Sequence, residues 1–116
     1  MTAAAARWTD LPTDQPIPGV TRRRVIGDQA MISHVTLEQG FTLAPHSHDN
    51  EQFAAILQGR LRFEVHDPDG PRLIELGPGE VLHLPANVPH GVVVLETAVV
   101  LDVFSPVSEG TGIDRA

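Results

Sequence analysis

The amino-acid sequence predicts an all-β protein, a barrel of short antiparallel strands. Three observations carry that expectation. β-type runs of four to nine residues recur along the chain, separated by Gly, Pro, Asn and Asp. Residues 60–66 alternate cleanly, with Leu61, Phe63 and Val65 on one face and Arg60, Arg62, Glu64 and His66 on the other, as in a half-solvated strand. No segment shows a convincing helical period of 3.6 residues.

Taken in order, residues 1–18 contain Pro12, Pro16 and Pro18 among small polar residues and read as an extended arm. Strands are expected over 21–26, 30–38, 41–44, 52–57, 60–66, 72–76, 80–84, 92–96 and 98–104. Turn signals stand between them at Gly27-Asp28, Gln39-Gly40, Asp67-Pro68-Asp69-Gly70 and Gly77-Pro78-Gly79. The second-last of these pins a hairpin. Residues 92–95 and 99–101 are apolar on both faces, which suits strands covered by a second sheet or by an oligomer partner. One domain over 19–108 is expected, with 109–116 as a flexible tail.

Composition narrows the function. The 116 residues carry a formal net charge of -7, which argues against nucleic acid or an anionic membrane surface as partner. No apolar run is long enough to span a bilayer. The alanine-rich start turns polar too quickly for a secretory signal, so a cytoplasmic protein is expected. There is no Cys, which removes disulfides, thiolate ligands and a thiol nucleophile. All basic residues are Arg, so there is no Schiff-base lysine, and there is no Tyr to act as a phenolic acid or base. Chemistry must rest on His, Asp, Glu, Arg and any bound metal.

The most informative segment is His46-Ser47-His48 with Gln52 four residues on, bracketed by Gly40 and Gly59. A second cluster runs from Gly79 through Pro85 and Asn87 to His90. On a strand, His-x-His puts both imidazoles on one face. Three neutral imidazoles and an amide oxygen suit a divalent transition metal, and this donor set takes Ni, Zn, Mn, Fe or Co. Gln52 shares parity with His46 and His48 when no bulge intervenes, whereas Glu51 then points to the opposite face. His34, at period two from Ile32 and Thr36, is a candidate cavity residue. His66 reads as a surface residue, and His83 is left open between wall and surface.

These two clusters, in this order, resemble the motifs of the cupin superfamily over residues 19–107. The resemblance implies a double-stranded β-helix (jelly-roll) barrel, metal ligands at His46, His48, Gln52 and His90, and a homodimer. Most metal-binding cupins have Glu where this chain has Gln52, and Gly where it has Asn87. A neutral amide leaves the full charge on the metal, favouring Lewis-acid chemistry over oxidation.

A narrower likeness lies in Asn87-Val-Pro-His90-Gly-Val, in Leu101-Asp102-Val-Phe104-Ser-Pro106, and in Gly19-Val-Thr-Arg-Arg23. It resembles the small pectin-degradation cupins that ketonise 4,5-unsaturated uronates. That likeness implies that Asp102 and Phe104 line the active site, and that an arginine follows the last proline, where this chain has Ser108. An acid inside an apolar strand is expensive to bury unless it is paired or functional; the residues alone leave Asp102 open between a site and a solvent-facing strand end, and the resemblance favours the site. Arg22, Arg23 and Arg24 suit a solvated edge strand, yet alternation sends Arg23 opposite to its neighbours, where it is a candidate carboxylate fork.

The expected activity is metal-dependent isomerisation of a small acid sugar, with Asp102 moving a proton. A polyketide cyclase-like enzyme, a metal-dependent sensor or binding module, and a dioxygenase are the alternatives.

Overall fold

In the computed structural model, residues 2–107 are described; Ser108 and the tail expected over 109–116 lie outside the described residues. Seven strands form the fold: β1 (Val20–Ile26), β2 (Met31–Leu37), β3 (Thr42–His46), β4 (Glu51–Asp67), β5 (Gly70–Leu76), β6 (Val81–Leu84) and β7 (His90–Ser105). All pairings among them are antiparallel. β4 and β7 are long and pair with each other from Glu51↔Ser105 to Val65↔His90. The first half of β4 pairs with β6 and its second half with β5, while β7 pairs with β3 early and β2 late. Each long strand therefore belongs to two sheet regions, β1-β2-β7-β4-β6 on one side and β3-β7-β4-β5 on the other. The result is the jelly-roll barrel expected.

Where the two regions meet, the β4–β7 register shifts repeatedly between Ile56 and Leu61. Inward residues of β4 are even-numbered before this point (Gln52, Ala54, Ile56) and odd-numbered after it (Leu61, Phe63, Val65). A bulge resets the face in this way because side chains alternate with period two. Gly59 sits at the shift with φ +82°, and a Cβ there would lie 2.3 Å from the Thr97 carbonyl oxygen. Only glycine meets both demands. The bulge also explains a difference from the sequence expectation. The broken alternation makes one bent strand look like two, at 52–57 and 60–66, and β7 was divided similarly around Glu96 and Thr97.

The hairpin at residues 67–70 forms as expected, with Asp67 opposite Gly70. The core is built from inward residues of both sheet regions, including Val35, Ile56, Leu61, Leu84, Val94 and Val100, each at most 2% exposed. The N-terminal arm contains a 3-10 turn at Trp8–Asp10 that proline spacing does not announce. It then adds a single antiparallel bridge, Asp14 to Arg22, along β1. Among the described residues, no helix is long and apolar enough to cross a membrane.

Candidate metal centre

Three histidines converge at one end of the barrel. His46 is the last residue of β3 and pairs across the sheet with His90, the first residue of β7. Gly91 permits this approach, since a Cβ there would lie 2.6 Å from the Leu43 carbonyl oxygen. His48 lies past the end of β3, in the loop to β4. The geometry of His-x-His as two positions of one strand therefore does not hold, and a loop rather than strand parity delivers the second imidazole. Even so, one ligand atom from each of His46, His48 and His90 lies within 4.8 Å of the others.

The same bond sets the tautomer of each ring. Nδ1 of His46 donates to the Ala44 carbonyl at 3.2 Å, Nδ1 of His48 to the Asn50 carbonyl at 3.1 Å, and Nδ1 of His90 to the Val88 carbonyl at 2.9 Å. A carbonyl only accepts, so Nδ1 carries the proton and Nε2 keeps its lone pair for a ligand. His48 Nε2 is buried without a protein partner. Burial holds the His90 imidazole down at about 4, against a weaker upward pull from the Val88 carbonyl. Burial also lowers His46, and the neighbouring His48 adds to the effect. Rings of lowered pKa at His46 and His90, Nδ1 atoms committed to carbonyls and a buried orphan nitrogen on His48 fit a divalent transition metal.

Gln52, the second residue of β4, is 8% exposed and lines the same cavity. Its Nε2 donates to Asp102 Oδ1 at 3.0 Å, which leaves Oε1 as the oxygen available to a metal. Glu51 faces outward and bonds His83 Nε2 at 2.9 Å. Asp102 is buried, and burial raises its carboxyl to about 6 while the Gln52 bond pulls the other way. Phe104 is buried beside it, its ring edge-on to His48 at 5.8 Å between centroids.

The cavity of about 40 Å³ is completed by Leu37, Leu43, Leu61, Phe63, Val92 and Val100. Arg23 and His34 are not among the lining residues. They oppose each other across β1 and β2 on the outer face, where the Trp8 ring lies 5.3 Å from His34. Parity instead turns Arg22 inward, where its Nε and Nη2 meet the Asp14 carboxylate at 3.0 Å each. His66 bonds Glu64, and His83 stacks on Phe53 at 4.7 Å; both lie away from the cavity.

Sequence reasoning missed the backbone carbonyls that set the tautomers. A signal was present. His46 and His90 each follow a proline and bond the carbonyl just before it, so two Pro-His pairs mark the same local device.

The sequence matches the cupin domain family, Cupin_2, over residues 33–104. The chain belongs to the cupin family. KdgF from a Halomonas species shares 25% identity with this cupin at a TM-score of 0.84, covering 93% of this chain and 97% of its own. An RmlC-like cupin from Shewanella frigidimarina NCIMB 400 has a TM-score of 0.83 at 19% identity, over 93% of this chain and 95% of that one. Oxalate decarboxylase of Bacillus subtilis, a protein with Mn(II) centres, has a TM-score of 0.78 at 21% identity, over 95% of this chain and 33% of that one. The last two likenesses concern the fold alone. Among curated proteins, no sequence matches this cupin.

Proposed function

We propose that this cupin is a metal-dependent isomerase that ketonises an unsaturated uronate or a similar small acid sugar. The observation that carries the reading is Asp102, a buried carboxyl in the same cavity as three imidazoles and in contact with Gln52. His46, His48, His90 and the Gln52 oxygen would hold the metal. A divalent metal in that position supplies Lewis acidity toward the oxygens of a substrate.

This chain's own residues do the rest. Asp102, with its carboxyl raised to about 6, is poised to take a proton from an enol oxygen and return it to the neighbouring carbon. Gln52 orients Asp102 through Nε2. Phe104, Phe63 and the surrounding Leu and Val side chains keep water from the transferred proton. The similarity to KdgF and the Asp102–Phe104 pattern support the uronate class.

The test is an absorbance assay on 4,5-unsaturated uronates near about 235 nm, where a conjugated enol acid absorbs, using metal-loaded wild type and Asp102→Asn. The expected result is loss of absorbance with wild type and a rate lowered at least ~100-fold in the variant, the usual weight of a general acid–base group. Equal rates would remove Asp102 from the chemistry. No turnover by a metal-loaded wild type would overturn the uronate reading. The apolar walls then favour a second reading, an enolic polyketide-like substrate.

A further inference from the structure

We infer that Asn50 is a positioning residue of the metal centre, a latch that fixes His48 by tying the β3–β4 loop to the segment after β7. The inference rests on the metal reading of the three histidines and adds a residue outside the ligand set. His48 is the one histidine ligand not placed by a strand, so the loop must be held by other means. Asn50 supplies the hold. It is 1% exposed, although Ser47 and Asp49 in the same loop are exposed.

Its two ends act on different partners. The backbone carbonyl accepts the His48 Nδ1 proton at 3.1 Å, which fixes the ring's tautomer and tilt. The side-chain Nδ2 donates to the Pro106 carbonyl, 56 residues away in sequence. That second bond anchors the carbonyl that the first one uses. The loop is held from the other side by the backbone N–H of Asn87, which donates to the His48 carbonyl at 2.8 Å. Asn87 makes that bond from φ +66°, a conformation asparagine tolerates better than most residues.

The pattern is hard to read as packing alone. Asn50 Oδ1 is buried without a partner, so a neutral apolar residue of similar size would spare an unpaired oxygen. What such a residue lacks is the donor to Pro106. Groups that orient metal ligands in this way typically change metal affinity ~10- to 100-fold when removed.

The test is a Co²⁺ titration of the full chain, followed by visible d–d absorption, together with imidazole ¹⁵N spectra of the metal-free protein. Asn50→Asp keeps the shape and the backbone carbonyl and removes the donor. The expected result is Co²⁺ affinity at least ~10-fold weaker, an altered d–d band, and a His48 ring that no longer holds a single Nδ1-protonated tautomer. Wild-type affinity, band and tautomer in the variant would overturn the inference. Wild type that takes up no Co²⁺ would overturn the metal reading, and the tautomer comparison would still decide whether Asn50 positions His48. Should the buried charge unfold the chain, Asn50→Ser and Asn50→Ala decide instead, since only serine keeps a donor. Serine must then bind Co²⁺ more tightly, and equal affinity would overturn the latch.

Discussion

The six histidines of the chain separate by what holds each ring. His46, His48 and His90 have Nδ1 committed to a carbonyl and one ligand atom each within 4.8 Å of the others, whereas His66 and His83 bond the carboxylates of Glu64 and Glu51 and His34 packs on Trp8. Elemental analysis should therefore find metal occupancy severely reduced in His46→Ala and His90→Ala and unchanged in His66→Ala. Gln52→Glu should hold metal at least as well, because a carboxylate is the stronger donor, and should turn over more slowly, because it reduces Lewis acidity and removes the Nε2 donor that orients Asp102.

These candidate ligands were legible because metal chemistry demands particular residue types at fixed separations. The deciding carbonyls of Ala44, Asn50 and Val88 were not, because every residue carries a carbonyl.

A pH argument also belongs to single residues. In the metal-free protein between about pH 4 and 6, Asp102 is protonated and His90 neutral. In the unfolded chain the same proton sits on histidine and the aspartate is ionised. His90 alone makes stability rise with pH across this window, because the unfolded state binds its proton and the native state does not. Asp102 alone makes stability fall with pH, for the opposite reason. Together the two nearly cancel. Asp102→Asn removes one side, so urea unfolding of the metal-free variant should gain stability more steeply from pH 4.5 to 6 than wild type. The slopes should differ by at most about 1.4 kcal/mol per pH unit. Parallel profiles would mean that Asp102 is ionised throughout.

Among the elements, the arm and β1 show what alternation cannot supply. Sequence pattern put Arg23 opposite to Arg22 and Arg24, but which face is inner depends on a partner elsewhere. Asp14 is that partner, joined to Arg22 by two side-chain bonds and a backbone bridge, with Arg24 at 3.7 Å. The arm thus folds back on its own β1, and Trp8 reaches His34. Trp8 is the only tryptophan of the chain and reports on the arm. Asp14→Asn should red-shift its emission and increase its quenching by acrylamide, with little change in metal content. The Arg22 bond lowers the Asp14 carboxyl below its ordinary 3.8. The clasp is therefore at full strength above that value and is lost as pH falls through the lowered one. Unchanged fluorescence in the variant would mean the arm is held elsewhere.

For the molecule as a whole, the outer face of the five-strand region is rich in apolar groups. Phe53 lies between Val103 and His83, and Ala55 between Leu101 and Val81, in rows set by the register. Phe53, Leu57 and Val81 are 40%, 45% and 61% exposed. Apolar rows of this kind are the usual material of a subunit interface. Residues 99–101 were legible as apolar on both faces; their neighbours from β4 and β6 became visible only through the pairing. Light scattering at micromolar concentration should give about twice the 12.5 kDa chain mass. Phe53→Glu should shift it toward one chain mass. A monomer in both would leave this face to other uses.

The two long strands have a consequence for how the barrel opens. Because β4 and β7 each run through both sheet regions and stay paired across the register shift at Gly59, neither region can detach while the other stays intact. Cooperativity is thereby written into chain continuity rather than into any single contact. Backbone amides at Ala54 and Ile56 should exchange with deuterium through the same global opening as those at Phe63 and Val65, on the far side of the bulge. Pairing residues as distant as Glu51 and Ser105 also calls for slow closure of a long loop before reward, so refolding belongs in the millisecond-to-second range. Exchange that is fast on one side of Gly59 and slow on the other would reveal two independent foldons instead of one.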